Sequence, residues 1–348
     1  MTRISEHPSK TRLQDYLRSE APDLAGDLTL EPVNGGQSNP TYFLTCGPHK
    51  LVLRKRPAGE ILPSAHAVDR EYRVMQALAG SGVPVPKMRH YCEDASVIGT
   101  EFYIMDRIEG RVFGDCSLPD VHPAEREAMF LDMADTLAKL HDVDWVARGL
   151  GDFGRSTQYY TRQISRWSRQ WELSKSSESS DVTFLIRELP NLVPDDETAV
   201  LTHGDFRIGN LIFHPTDPHV VGVLDWELST LGHPMADLAF SALAWRLTPD
   251  EYMGMHGLDL QAMGIPAESQ YISRYFARRQ SAPPLTRFHT AFVLFRLAVI
   301  FEGIAARRSG EHRQDSANSP SALRASFARR AVLELSQPEV LALNRRLL

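Results

Sequence analysis

Residues 201–213 read LTHGDFRIGNLIF, and residues 223–227 read VLDWE. In outline this is an apolar β-like run, the polar loop HGDFRIGN, a second run and, after a short connection, a third run that ends on Asp225. Asp205 and Asn210 stand five residues apart on one loop, so both can face one cleft, and Asp225 at the end of the hairpin can reach the same point. The trio suits phosphoryl transfer. One carboxylate accepts the proton of an attacking hydroxyl, while an amide oxygen and a second carboxylate hold Mg2+ against nucleotide phosphates. Acids beside glycines are ordinarily solvated turn residues. Two acids and an Asn, each next to an apolar run, favour a site instead.

The character of the chain changes on either side of a boundary near residues 107–120. Before it lie a short amphipathic helix at 11–20, β-like runs at 28–33, 41–45, 50–54 and 101–106, and a helix through Leu78 with Ser64 as N-cap. After it, helical patterns dominate at 123–141, 156–173, 269–279, 285–308 and 320–335, interrupted by the β-like stretch 200–224. Grouped strands followed by grouped helices predict an α+β fold.

The 348 residues carry a formal charge of −6, 43% apolar and 24% charged residues, which excludes collagen-like, disordered and nucleic-acid-coating classes. The length suggests two units, each with a core. Cys46, Cys92 and Cys116 form no CxxC, and an odd count suits a reducing compartment. MTRISEHPSK lacks the apolar region of a secretory signal, so the expectation is a cytoplasmic protein. The most apolar stretch, 291–306, is broken by Arg296 and Glu302 and reads as a buried helix, not a membrane span.

HGDFRIGN with LDWE resembles the aminoglycoside phosphotransferases, which are related to choline kinases and protein kinases. More narrowly, RKRPAGEILPSAHAVDREYRVMQAL at 54–78 resembles the kinase-like domain fused to some acyl-CoA dehydrogenases and its stand-alone bacterial relatives. The likeness runs from about Leu28 to Trp245. It implies a bilobal protein-kinase-like fold, with a small β-rich N-lobe at 1–107 and a larger, mostly helical C-lobe at 108–348. It also implies ATP and Mg2+ as cofactors, with Asp205 as catalytic base and Asn210 and Asp225 as metal ligands. His203 opens the catalytic loop and holds its shape, and Asp237 in GHPMADLAF braces the loop through backbone N–H groups.

In the N-lobe, the position of the family's phosphate-contacting lysine falls on Arg54. Strand alternation puts Val52 and Arg54 on one face and Lys55 on the other, so Lys55 is the reserve. An Arg brings a planar fork in place of a point charge. Glu71 is its proposed partner, because Val68, Met75 and Leu78 place it on the apolar stripe of its helix, where a carboxylate needs a cation or donors. The GGQSN turn at 35–39 offers Gly36, Ser38 and Asn39 to phosphates, and backbone groups near Met105 and Arg107 are expected to meet the adenine edge.

For the acceptor, residues 241–310 hold eight arginines and no lysine against five acids, a net of +3. Such a surface disfavours a polycation and favours an anionic hydroxyl substrate, a hydroxyacyl-CoA among them. The alternatives are an aminoglycoside or small-amine kinase, which shares every catalytic residue, and a nucleotide-binding module without activity, for which the Arg at position 54 speaks. A metallohydrolase would leave Asn210 without a task, and no GxSxG supports a serine hydrolase.

Overall fold

The computed structural model describes residues 8–33, 39–57, 67–308 and 318–337. Helix α1 (Lys10–Glu20) precedes three strands, β1 (Leu28–Pro32), β2 (Thr41–Cys46) and β3 (His49–Lys55). Helix α2 (Val68–Leu78) follows, then β4 (Met88–Cys92), the short α3 (Ala95–Ile98) and β5 (Phe102–Asp106). The five strands form one antiparallel sheet in the order β1-β2-β3-β5-β4. One face buries Val52, Tyr103 and Met105 with Val68, Val74, Met75 and Leu78 of α2. The other buries Leu51, Leu53, Phe102 and Ile104 against Leu13 and Leu17 of α1.

After β5 the chain crosses to a helical region. Gly110 passes so close to Phe213 that an added Cβ would lie 2.3 Å from its carbonyl oxygen, and Arg111 bridges the same residue. The helices are α4 (Pro123–His141), α5 (Tyr159–Ser174) and α6 (Ser180–Glu188), then α7 (Pro234–Ala242), α8 (Pro249–Tyr252), α9 (Glu268–Arg278), α10 (Arg287–Arg308) and α11 (Pro320–Ser336). Between α6 and α7 lie four short strands, β6 (Val200–Thr202), β7 (Leu211–Phe213), β8 (Val220–Val223) and β9 (Thr230–Gly232). They pair as β6·β9 and β7·β8, both antiparallel. This is the bilobal α+β arrangement expected from the sequence.

Several elements departed from the sequence reading; α2 begins at Val68 with Ala67 at its N-cap position, and Ser64 lies outside the described residues. The segment MRHYC forms β4, although its side chains show no alternation in burial. Helix α7 is buried at all nine positions, so it carries no amphipathic period. Helix α6 starts within the Ser-rich stretch 174–181, which shows no helical pattern, with Ser179 accepting from the Val182 N–H as its N-cap. Helix α10 is long and apolar enough to cross a membrane, but 78% of its apolar window is buried within the protein, as a core helix requires. All three cysteines are free and buried.

Helix α2 is fastened to the C-lobe by arginines. Arg70 donates to the Phe153 carbonyl at 2.8 Å and stacks on the Phe153 ring, while Arg73 donates to the Gly149 carbonyl at 2.7 Å and pairs with Asp152. From the other side, Arg148 reaches the carbonyls of Ala77, Ala79 and Gly80 at 2.8, 2.9 and 3.2 Å, which satisfies the open C-terminal end of the helix.

Phe130 of α4 is 1% exposed and meets Trp245 edge-on in the core shared by both lobes. Phe130→Ala should lower the unfolding free energy by about 3–5 kcal/mol, read from urea denaturation; a loss under 1 kcal/mol would contradict this packing.

Candidate active site

The catalytic loop leaves β6 at Thr202 and is held from beneath. Asp237, in the first turn of α7 and 2% exposed, accepts the His203 N–H at 2.6 Å and the Gly204 N–H at 2.9 Å. Burial acts to raise its carboxyl, yet the hydrogen bonds and nearby histidines leave it below its ordinary value. Gly204 has φ +85°, and an added Cβ would press on the Leu228 carbonyl at 2.7 Å, so the turn needs glycine. Arg296 donates to the Gly204 carbonyl at 2.7 Å, which completes the turn's backbone bonding.

His203 is fully buried. Its Nδ1 accepts the Asp205 N–H at 3.2 Å, so its Nε2–H donates to the Leu224 carbonyl at 2.9 Å. The ring therefore links the loop to the end of β8 and has no access to a substrate. It is a positioning residue, buried behind Asp205.

Asp205 lies in the cleft with Asn210 beside it. Asn210 Nδ2 donates to the Asp205 carboxylate and to its backbone carbonyl, both at 2.8 Å, which turns Oδ1 away from Asp205. The Leu224 N–H donates to the Asn210 carbonyl at 2.9 Å, so Asp225 stands next to Asn210. Asp225 takes a left-handed conformation, φ 66° and ψ 64°, which Asp tolerates better than most residues. An amide oxygen and a carboxylate are hard oxygen donors and fit Mg2+. Among the described residues no cluster of three His, Cys, Asp or Glu stands ready for a metal.

Arg54 reaches across from β3. Its Nη2 donates to Asp225 Oδ1 at 2.8 Å, and its Nε lies 3.1 Å from Glu71 Oε2. Glu71 is 1% exposed and also accepts from Asn39 Nδ2 at 2.6 Å and from the Tyr103 hydroxyl at 3.0 Å. Burial pushes its carboxyl up to about 7 against the opposing pull of Arg54.

The remaining expected nucleotide contacts sort themselves by position. Lys55 is buried on the α1 side of the sheet and does not join Arg54. Asn39 is committed to Glu71 and supports the ion pair instead of a phosphate. Gly36 and Ser38 lie outside the described residues. Met105 is core, paired with Val52 on one side and Met88 on the other. The Arg107 N–H is already bonded to the Lys50 carbonyl at 3.1 Å, and its guanidinium covers the Phe43 ring at 3.9 Å, so this N–H does not serve an adenine edge.

One residue of the site was missed. Arg207, two positions after Asp205, sets its Nε 3.3 Å from Asp205 Oδ2 and its Nη1 3.8 Å from the Met253 sulfur. The available signal was a lone cation between Phe206 and Ile208, both of which are core. Arg207 lines a small cavity of about 30 Å³ together with Cys116, Phe240, Leu247, Tyr252 and Met253. Arg207 is ion-paired with Asp205, and five of the eight counted arginines are ion-paired as well. Arg246 pairs with Glu268 and Glu334, Arg274 and Arg278 with Asp135, Arg279 with Asp142, and Arg287 with Glu334. Asp135, Asp142 and Glu334 come from outside the counted segment, while Arg324 and Arg330, also from outside it, take up its Glu302 and Glu251, so a count along the chain does not give the local charge.

A carboxyl raised on folding favours the native state fully below its ordinary value of 4.5 and ceases to do so as pH rises through about 7. The unfolding free energy contributed by Glu71 should therefore fall by roughly 1–3 kcal/mol between pH 4.5 and 8. Glu71→Gln should remove that slope in urea titrations; an unchanged slope would show that Glu71 stays ionised throughout.

Residues 29–264 match the phosphotransferase enzyme family. Mouse acyl-CoA dehydrogenase family member 10 is 43% identical over 287 residues, which cover 81% of this chain and 27% of that protein. Rat acyl-CoA dehydrogenase family member 11 is 42% identical over 308 residues, 85% of this chain and 39% of that protein. The chain thus spans well under half the length of these curated relatives. A crystal structure from Ralstonia eutropha, provisionally named an aminoglycoside phosphotransferase, is 39% identical with a TM-score of 0.81, and the match covers 93% of this chain and 99% of that one. An aminoglycoside phosphotransferase in ternary complex with AMP-PNP and hygromycin B shares the fold alone, at a TM-score of 0.64 and 15% identity over 94% of this chain and all of that one. The chain belongs to the phosphotransferase enzyme family.

Proposed function

We propose that the chain transfers the γ-phosphoryl group of ATP, with Mg2+, to the hydroxyl of a small metabolite, and that a hydroxyacyl-CoA is the acceptor to test first. The observation that carries this reading is the convergence of Asp205, Asn210, Asp225 and Arg54 on one cleft. Asp205 accepts the proton of the acceptor hydroxyl, and its carboxylate orients that oxygen in line with the phosphorus. Asn210 Oδ1 and Asp225 would hold the ion, which neutralises charge on the phosphates when bound. Arg54, anchored on Glu71, faces the phosphates. His203 and Asp237 keep Asp205 in place.

The acceptor class rests on Arg207 and the relatives, no longer on the charge count. Arg207 sets a positive charge beside Asp205. That favours an acceptor with an anionic or carbonyl group near the hydroxyl, and opposes a polycation. The relatives' names, which contain acyl-CoA dehydrogenase, make an acyl-CoA the natural candidate.

ATP consumption should rise with hydroxyacyl-CoAs and stay at background with kanamycin-type drugs. Turnover of the drugs alone would reverse the acceptor assignment. Stabilisation by Mg·ATP without turnover of any acceptor would indicate a nucleotide-binding module. Asp205→Asn should cut turnover by roughly 10²–10⁴-fold while sparing Mg·ATP binding. Asp225→Ala should instead weaken Mg·ATP binding, read by calorimetry. Full activity of Asp205→Asn would remove Asp205 from the chemistry.

A further inference from the structure

Arg54 touches two carboxylates with different tasks. The aligned hydrogen bond runs from Nη2 to Asp225 Oδ1 at 2.8 Å, whereas Nε, 3.1 Å from Glu71, is buried without an aligned hydrogen bond. Glu71 is fixed from two further sides by Asn39 and Tyr103. Asp225 is 29% exposed, and its Oδ2 accepts no hydrogen bond from the described residues. In the ligand-free protein, then, the carboxylate proposed to take the metal has one oxygen held by a guanidinium.

We propose that Arg54 is an exchangeable counter-ion that obliges metal and nucleotide to bind together. The inference rests on the phosphotransferase reading of the same site. A divalent ion arriving alone meets a carboxylate already neutralised and a positive charge beside it, so both the ion pair and Coulomb repulsion oppose it. A nucleotide arriving without metal brings phosphates toward Asp205 and Asp225. The metal–nucleotide complex removes both conflicts, because the phosphates draw the Nη2 edge of Arg54 away from Asp225 and the ion takes its place. The planar fork suits the exchange. Its Nε edge stays on Glu71 while its outer nitrogen changes partner, which the single nitrogen of a lysine does not permit.

The test measures Mn2+ binding by electron paramagnetic resonance, with and without ADP, on the full chain. In the wild type, ADP should tighten Mn2+ binding by about tenfold or more, a coupling of ordinary allosteric size. In Arg54→Gln, Mn2+ alone should bind about tenfold more tightly, and most of its coupling to ADP should disappear. Arg207→Gln removes the same charge nearby without touching Asp225 and should change Mn2+ binding far less. Equal tightening in both variants would reduce the effect to a general field and overturn the proposal, as would unchanged Mn2+ affinity in Arg54→Gln. If Arg54→Gln fails to fold by circular dichroism, Arg54→Lys should show the same loss of coupling in smaller measure, and full coupling there would overturn the proposal. If neither Mn2+ nor ADP binds the wild type in any combination, the phosphotransferase reading itself fails.

Discussion

The site depends on one buried carboxylate that touches no substrate. Asp237 binds the N–H groups of His203 and Gly204 and so sets the path of the loop that carries Asp205. Those two donors have lost water and would be costly to leave unpaired. His141 stands behind the carboxylate at 3.4 Å and bonds in turn to the Tyr275 hydroxyl at 2.7 Å, so α4, α7 and α9 meet at this point. The charge that performs no chemistry therefore places the charge that is proposed to perform it.

Much of this was legible in the sequence because it is local. Asp205, Asn210 and Asp225 lie on one loop and one hairpin, and their spacing along the chain fixes their spacing in space. Glu71 was legible from helical phase, and Arg54 over Lys55 from strand alternation; both periods survive folding. The fully buried α7 and the weakly patterned β4 were hidden for the opposite reason, since neither presents two contrasting faces.

What failed was arithmetic along the chain applied to a surface. The arginines of α9 read as an unpaired basic face, but Asp135 lies 139 residues from Arg274 in sequence and binds it through two hydrogen bonds of 2.7 Å. Arg278 makes a second bidentate pair with the same carboxylate. Pairing of this kind depends on tertiary contact between α4 and α9, which no window of sequence contains. Asn39 and Arg107 fell short for a related reason: their donors were needed inside the N-lobe before any ligand could use them.

The fastening of α2 has a mechanical consequence. Arg70, Arg73 and Arg148 bind it to residues 148–153 of the C-lobe, whereas the five-stranded sheet meets it through apolar packing and the carboxylate of Glu71. Glu71 sits on that helix and bonds to Asn39, Tyr103 and Arg54 on the sheet side. One buried carboxylate thus ties the nucleotide-facing sheet to a helix that the larger lobe holds by its backbone carbonyls.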